Sequence, residues 1–529
     1  MGRIIVFNAT KIGASHIKSG KPCQDNSLSW MSEDGRTQVA IVCDGHGGDT
    51  YVRSDVGSRI AAQTALDCIR QFVDTTSPAM FLGAEGAVTA RPSEEEDPLF
   101  PTTKAPRKEL TESEQQQLEQ DQAFYEAVEK VRKQDALFVR LFASIYMQWL
   151  AGIEQDAQEH PFTEAEKACL KGARLVKAYG STLMAFVRTP LYWFAFHIGD
   201  GKLLCCDRNL QWREPVPWDC NCFLNITTSL CNTDPVPMFR YAFSGKGNFP
   251  TAVIMGSDGL DDSWGTMELL QNFYSKVLSI FNELGEAAAE KELADYLPTL
   301  SEKGSRDDMS MAGIIDMDEI KDGVEVYNVR RKLQALKKEK EKKEAELTKL
   351  KAQYDQLDQE MKKLEANVEQ EKTSFTDWLQ AFMLQRDDRE KDLRQKEEEI
   401  QEKLRKKTAC LEEHENKRTA FLAWIEQASA DKDTLLAEHD SLVKANTEKE
   451  RQELEHWEQE KNLFRQQEES KRQETVRAKA EEMQLHDSEN LQVLKKLDEN
   501  EQKEAEKAEP VEPEVPAKPA QNPEQDGEV

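Results

Sequence analysis

Between Gly323 and Gly527 the chain contains no glycine, and between Pro298 and Pro510 it contains no proline. Turns depend on the backbone chemistry of these two residues, so a stretch this long without either cannot be an ordinary globular domain. It is rich in Glu and Lys and reads as helix. Leu347, Leu350, Tyr354, Leu357, Met361, Leu364 and Val368 recur at alternating spacings of three and four, which is a heptad seam. Leu393, Ile400, Leu404 and Leu411 continue it less regularly. The expectation is a coiled coil over 325–508 and a disordered tail over 509–529, where Pro and Glu alternate. A straight helix of that length would run about 270 Å, an antiparallel hairpin half as far, and both stay open. Two spots are more apolar than a plain coiled coil: Phe375, Trp378, Leu379, Phe382, Met383 and Leu384, then Phe421, Leu422, Trp424 and Ile425. They read either as helix–helix junctions or as docking sites.

Residues 1–318 have a different composition and read as one folded domain. Glycine, proline and nine of the ten cysteines concentrate there. The net charge of −29 comes from both halves of the chain, which argues against a nucleic-acid partner, since that needs a basic footprint. The start lacks a secretory signal pattern, Val6 breaks the myristoylation pattern, and no run approaches the roughly 18 apolar residues of a membrane helix. The expectation is a cytoplasmic protein without a membrane partner. Cys205-Cys206 and Cys220-x-Cys222 with Cys231 match no zinc spacing and read as ordinary thiols.

Residues 3–7 and 37–43 look like strands, with a loop or hairpin over 13–20. A helix follows over 52–73. Residues 75–122, with prolines, an acidic cluster and a glutamine run, read as a flexible insertion. Phe138, Phe142, Ile145, Trp149 and Ile153 mark the face of a second helix. Strands then come in a run, 181–189, 191–198 and 202–206. An irregular flap over 211–250, a strand at 252–255, a helix over 266–297 and a strand at 310–315 complete the domain. Strands that cluster in runs favour an α+β sandwich over a doubly wound sheet.

The chemistry concentrates at strand ends. Asp44 ends one strand before Gly45-His46-Gly47-Gly48, Asp258 ends another before Gly259, and Asp307 opens a third. Asp25 precedes a strand and Asp200 sits in a Gly-Asp-Gly turn. Carboxylates at the ends of neighbouring strands converge, and hard oxygen ligands suit Mg²⁺ or Mn²⁺. In chain order, His16…Cys23-Gln24-Asp25-Asn26, Val42-Cys43-Asp44-Gly45-His46-Gly47-Gly48, Tyr179-Gly180-Ser181-Thr182, Ile198-Gly199-Asp200-Gly201, Gly256-Ser257-Asp258-Gly259-Leu260 and Ser305-Arg306-Asp307-Asp308-Met309-Ser310 span nearly all of 1–316. This ordered set resembles the protein phosphatase 2C family of metal-dependent serine/threonine phosphatases.

The resemblance implies an αββα sandwich of two antiparallel sheets flanked by helices. It implies two Mn²⁺ or Mg²⁺ ions, and a third in bacterial relatives. Asp44 would bridge the two ions, and the Gly45 carbonyl would help hold the second. Asp258 and Asp307 would complete the first ion's set of ligands, Asp25 would orient bound waters, and Asp200 resembles a third-ion ligand. A metal-bridged hydroxide would attack phosphorus, and His46 would protonate the leaving serine or threonine oxygen. The resemblance also implies a phosphoprotein substrate and a cognate serine/threonine kinase. The coiled coil would serve oligomerisation or targeting. Relatives usually carry a phosphate-binding arginine where this chain has Gly20, so Lys18 or Lys21 is expected to supply that charge, as a point charge rather than a bidentate fork. His16 is placed near the substrate and His197 within a sheet. The alternative is a catalytically weak, phosphatase-like scaffold assembling partners through its coiled coil.

Overall fold

The computed structural model describes residues 3–88, 112–219, 222, 227–379 and 386–505. Cys220, the tail over 509–529, the side chains of the apolar spot at 375–384 and residues 89–111 of the 75–122 segment lie outside the described residues.

The strands are β1 (Ile4–Lys11), β2 (Asn26–Met31), β3 (Gln38–Cys43), β4 (Glu85–Val88), β5 (Leu183–Arg188), β6 (Trp193–Ile198), β7 (Lys202–Cys206), β8 (Trp212–Arg213), β9 (Arg240–Ser244), β10 (Ala252–Gly256) and β11 (Met309–Asp316). They form two antiparallel sheets, ordered β1-β11-β10-β7-β8 and β2-β3-β5-β6-β9-β4. Between the sheets lie Ala40, Val42, Met184 and Phe186 from one, and Leu203, Val253, Met255 and Ile314 from the other. The helices α1 (Ala14–Ser19), α2 (Ser54–Thr75), α3 (Glu112–Glu159), α4 (Glu164–Leu170), α5 (Asp258–Asp262), α6 (Met267–Leu284) and α7 (Glu286–Lys303) complete the domain. α6 and α7 cover one outer face through Tyr274, Leu278, Phe281 and Leu297. On the other face, Phe72 of α2 and Phe138 and Phe142 of α3 pack on Phe194, Phe196 and Tyr241. This is the four-layer αββα sandwich. Its central strands are apolar on both faces because each sheet is covered twice, so they read as continuous runs rather than alternating ones.

Several expectations need correction. Residues 240–244, read as flap, form β9 between β6 and β4, because Tyr241 and Phe243 join the aromatic layer while Arg240 is buried and donates to the carbonyls of Pro217 and Gly199. Within the expected insertion, Glu85–Val88 adds as edge strand β4, anchored by Phe81 stacked on Tyr192. Residues 14–19 form α1 rather than a loop. The helix expected over 266–297 is two helices broken at Gly285, whose φ is +76°. Gln134–Glu159, in α3, is long and apolar enough to cross a membrane by length and composition, but Phe138, Phe142, Ile145, Trp149 and Ile153 on its apolar face are buried in this domain.

The long helices are α8 (Glu319–Leu379), which grows directly out of β11, and α9 (Arg386–Ala505). The chain divides into two compact units, 1–458 and 459–529. Within the first, α8 and the start of α9 form an antiparallel hairpin: Lys372 pairs with Glu397, Lys396 with Glu371, Lys403 with Glu360 and Lys407 with Asp358. Leu350, Met361 and Val368 of the heptad seam are buried along it. At its base α9 returns to the sandwich. Arg208 meets Asp322, Glu319 and Glu453, Asn446 donates to Asn209 Oδ1 at 2.9 Å, and buried Trp457 donates to the Leu191 carbonyl and lies against Gly247. These contacts gather where β7 and β9 end and β6 begins.

Removing the Trp457 ring leaves a cavity against Gly247 and Leu191, so Trp457→Ala is expected to weaken the docking by about 3 kcal/mol. Hydrogen exchange should speed up over 443–457 while β10 stays protected; unchanged exchange there would refute the docking.

Candidate active site

Antiparallel register brings the strand ends together at the other end of the sandwich. Asn26 pairs with Cys43, which sets Asp25 beside Asp44. Gly256 pairs with both Met311 and Lys202, which brings Asp258, Asp307 and Asp200 to the same rim. The Asp44-Gly45-His46 turn is clipped to Gly180-Ser181-Thr182. Asp44 N donates to Thr182 Oγ1 at 3.0 Å, Thr182 N donates to the Asp44 carbonyl at 2.8 Å, and His46 N donates to the Gly180 carbonyl at 3.1 Å. A Cβ at Gly45 would lie 2.4 Å from the Gln24 carbonyl and 2.7 Å from that of Ser54, so only glycine fits between these backbones.

The carboxyls perturb one another. Burial, then the charges of Asp258 and Asp25, hold the Asp44 carboxyl well above the usual range. Asp25 is raised by burial against a hydrogen bond from Ser257, with Asp308, Asp258 and Asp307 adding to the rise. Burial pushes Asp258 up to about 6, aided by Asp200 and Asp307, while a hydrogen bond with the Asp44 carboxyl opposes the rise. Two carboxyls in mutual hydrogen bond must share a proton. Asp25 Oδ2 is buried with no hydrogen-bond partner among the described residues. A group of hard oxygen donors with one oxygen orphaned fits a divalent cation of the Mg²⁺ or Mn²⁺ class. Asp200 is raised by burial, opposed by Thr227, and Asp261 is pushed up to about 7 by burial, with Lys202 3.9 Å from its Oδ2 opposing.

His46 lies edge-on to Tyr51 with ring centroids 4.8 Å apart. Burial and then Lys177 lower its pKa to about 4, so the imidazole of the free chain is neutral at physiological pH. Lys21 Nζ donates to the Gly47 carbonyl at 3.1 Å, which puts its charge at the rim beside His46, whereas Lys18 is exposed on α1. His197 is buried in β6, and burial holds it far below its ordinary pKa.

Sequence reasoning gave no role to Asp308, Asp261, Thr182, Ser257 or Lys177. Asp308 is buried and accepts from Gly13 N and Gln24 N at 2.6 Å each and from His16 Nδ1 at 2.9 Å, tying α1 and the Gln24-Asp25 segment to the start of β11. Asp308 and Thr182 stand inside motifs the sequence displays, but nothing local distinguishes a structural carboxylate from a ligand.

In the free chain the raised carboxyls make the site a source of instability. A carboxyl whose folded pKa exceeds its unfolded value favours folding below the unfolded value, and that contribution is lost as pH rises through the folded one. For Asp258 the window runs from 3.8 to about 6. In EDTA, Asp44→Asn is therefore expected to melt above the wild type by a margin that grows from pH 4.5 to pH 7. At pH 7, Mn²⁺ at a hundred times its Kd should stabilise the wild type by about 2.7 kcal/mol, and Asp44→Asn by less. A pH-independent margin would show that the carboxyls do not repel one another.

The sequence profile of the family described as Protein phosphatase 2C matches residues 12–298, more than half of the chain. No curated protein sequence matches. Among solved structures, the catalytic domain of the serine/threonine protein phosphatase PstP in complex with two manganese ions is 14% identical, with 59% of this chain and 97% of that one covered and a TM-score of 0.32. Stp1 from Staphylococcus aureus is also 14% identical, over 60% and 95% of the two chains, with a TM-score of 0.32. The Mycobacterium tuberculosis phosphatase PstP/Ppp is 13% identical over 59% and 98%, with a TM-score of 0.31. The chain belongs to the protein phosphatase 2C family and is a serine/threonine protein phosphatase.

Proposed function

We propose that the chain hydrolyses phosphoserine and phosphothreonine in proteins with the help of two Mn²⁺ or Mg²⁺ ions held at the acidic rim. The observation that carries this is the cluster of mutually raised carboxyls of Asp44, Asp25 and Asp258, with Asp25 Oδ2 buried and without a hydrogen-bond partner among the described residues. Asp44, the Gly45 carbonyl, Asp258 and Asp307 would hold the ions, with Asp25 orienting their waters and Asp200 beside Asp258 for a third. When bound, such ions make a water nucleophilic at neutral pH and offset phosphate charge.

The remaining work falls to the chain's own groups. The Asp44 peptide is held on both sides by Thr182, which fixes the backbone from which its carboxylate projects. Lys21 attracts the phosphate at the rim. His46, neutral in the free chain, gains a proton when a phosphate dianion settles beside it, because an adjacent negative charge favours the imidazolium. It then gives that proton to the serine or threonine oxygen as the ester bond breaks, a step an alkoxide leaving group requires. The enzyme thus pairs with a serine/threonine kinase that makes its substrate. The hairpin, docked at the opposite end of the sandwich, would serve oligomerisation or targeting.

Phosphate release from a phosphothreonine peptide by the full chain is expected to require Mn²⁺ or Mg²⁺ and to fall at least about a thousandfold in Asp44→Asn. Metal-independent release, or an active Asp44→Asn protein, would sink the reading. His46→Gln should lose about 10²- to 10⁴-fold on the peptide but far less on an aryl phosphate, whose leaving group needs no proton. Equal losses on both would remove His46 as the acid. Lys21→Ala should raise KM several-fold with kcat little changed.

A further inference from the structure

His16 is 8% exposed. Its Nδ1 lies 2.9 Å from Asp308 Oδ2, and its Nε2 lies 4.0 Å from Asp307 Oδ1. Nδ1 is engaged by Asp308, and Nε2 is the ring nitrogen turned toward Asp307, whose Oδ1 lies beyond hydrogen-bond reach. Metal–ligand bonds of about 2.1 Å put two donors of one ion roughly 3 to 4.2 Å apart, and 4.0 Å falls within that range. The donor atoms of His16, Asp307 and Asp308 all lie within 4.8 Å of one another. Asp308 is already engaged by Gly13 N, Gln24 N and His16, so its part is to orient. A carboxylate that holds the far nitrogen of a histidine is the usual support of a histidine bound to metal.

The ring is placed by backbone and not by a free surface rotamer. Ser15 N donates to the Arg306 carbonyl at 2.9 Å and Ala14 N to Ser301 Oγ at 3.0 Å. A Cβ at Gly13 would collide with the Asp307 backbone at 2.3 Å, so α1 starts flush against the residues that lead into β11.

We propose that His16 Nε2 is a ligand of the cation held at Asp307, with Asp308 as the carboxylate that orients it. This rests on the reading of Asp307 as a metal ligand. One nitrogen in an otherwise oxygen shell shifts preference from Mg²⁺ toward Mn²⁺, because imidazole suits transition metals and magnesium demands oxygen.

The test uses the full chain stripped of metal and loaded with Mn²⁺ alone, once with natural-abundance histidine and once with ¹⁵N-histidine. Electron spin-echo spectroscopy should show modulation from a directly bound nitrogen that changes with the label. It should vanish in His16→Gln and persist in His46→Gln. Calorimetry should show Mn²⁺ bound about 10- to 100-fold more weakly by His16→Gln, and Mg²⁺ within about threefold of wild type. Absence of nitrogen modulation in the wild type, or its loss only in His46→Gln, overturns the assignment without recourse to any variant's folding. Phosphopeptide turnover measured beside it separates the two ideas. A wild type that turns over with Mn²⁺ but shows no bound nitrogen rejects His16 and keeps the phosphatase chemistry.

Discussion

Like charges brought together out of water raise one another's pKa and work against the folded state, and several carboxyls at one end of this sandwich are held in that relation. None can relax. Asp44 is fixed by reciprocal hydrogen bonds with Thr182, Asp258 is caught between β10 and α5, and Asp25 is anchored by the pairing of β2 with β3. The restraint comes from the layers beneath. Val42 and Met184 meet Val253 and Met255 between the sheets, and the aromatic stack of Phe72, Phe138 and Phe194 fastens the helices outside. A core covered on four faces supplies the rigidity that a preorganised anionic rim needs, and a divalent cation would then bind without waiting for the ligands to assemble.

The arm obeys a separate logic. It roots in β11, the strand whose other end carries Asp307 and Asp308, and it returns to the sandwich beside β7 and β9. Arg208 is nearly buried there among Glu319, Asp322 and Glu453, three carboxylates for one guanidinium. Burial, then the charges of Asp316 and Glu453, push Glu319 up to about 7, opposed by a hydrogen bond from Thr251 and by the charge of Arg188. The seam lies at the opposite end of the sandwich from Asp44. Of the heptad residues, Leu350, Met361 and Val368 are buried along the hairpin of α8 and α9, and the others are half-buried.

The acidic rim was legible because its residues sit in short motifs at strand ends, where backbone turns demand Gly and Asp whatever lies elsewhere. β9 was not legible. Its sequence, Arg240-Tyr241-Ala242-Phe243-Ser244, follows a proline-rich stretch and opens on a charge. Its tertiary partners, the carbonyls of Pro217 and Gly199 and the Asp219 carboxylate at 3.7 Å, are what make Arg240 a buried strand residue. The hairpin was half legible. The seam showed in the spacing, but the direction of the return depends on where α8 ends. The neutral state of His46 could not be read at all, since it arises from burial and from Lys177, 131 residues away in the chain.

The departure at Gly20 now has a physical reason. Gly20 has φ +68° and closes α1: its N–H donates to the Ile17 carbonyl, and Lys21 N donates to that of His16 at 3.0 Å. An arginine there would be held in the left-handed region, at a cost of roughly 1–2 kcal/mol. The short helix and a phosphate-binding side chain at this position therefore compete, and the helix prevails. What the chain gains is the placement of two other groups. The turn after Gly20 sends Lys21 toward Gly47, and the helix before it presses His16 between Asp308 and Asp307. The missing arginine and the buried histidine are thus one structural event. A positive charge moves to the rim on a flexible stem, and a nitrogen donor moves to the carboxylates, both because six residues after Gly13 coil instead of crossing the site as a loop.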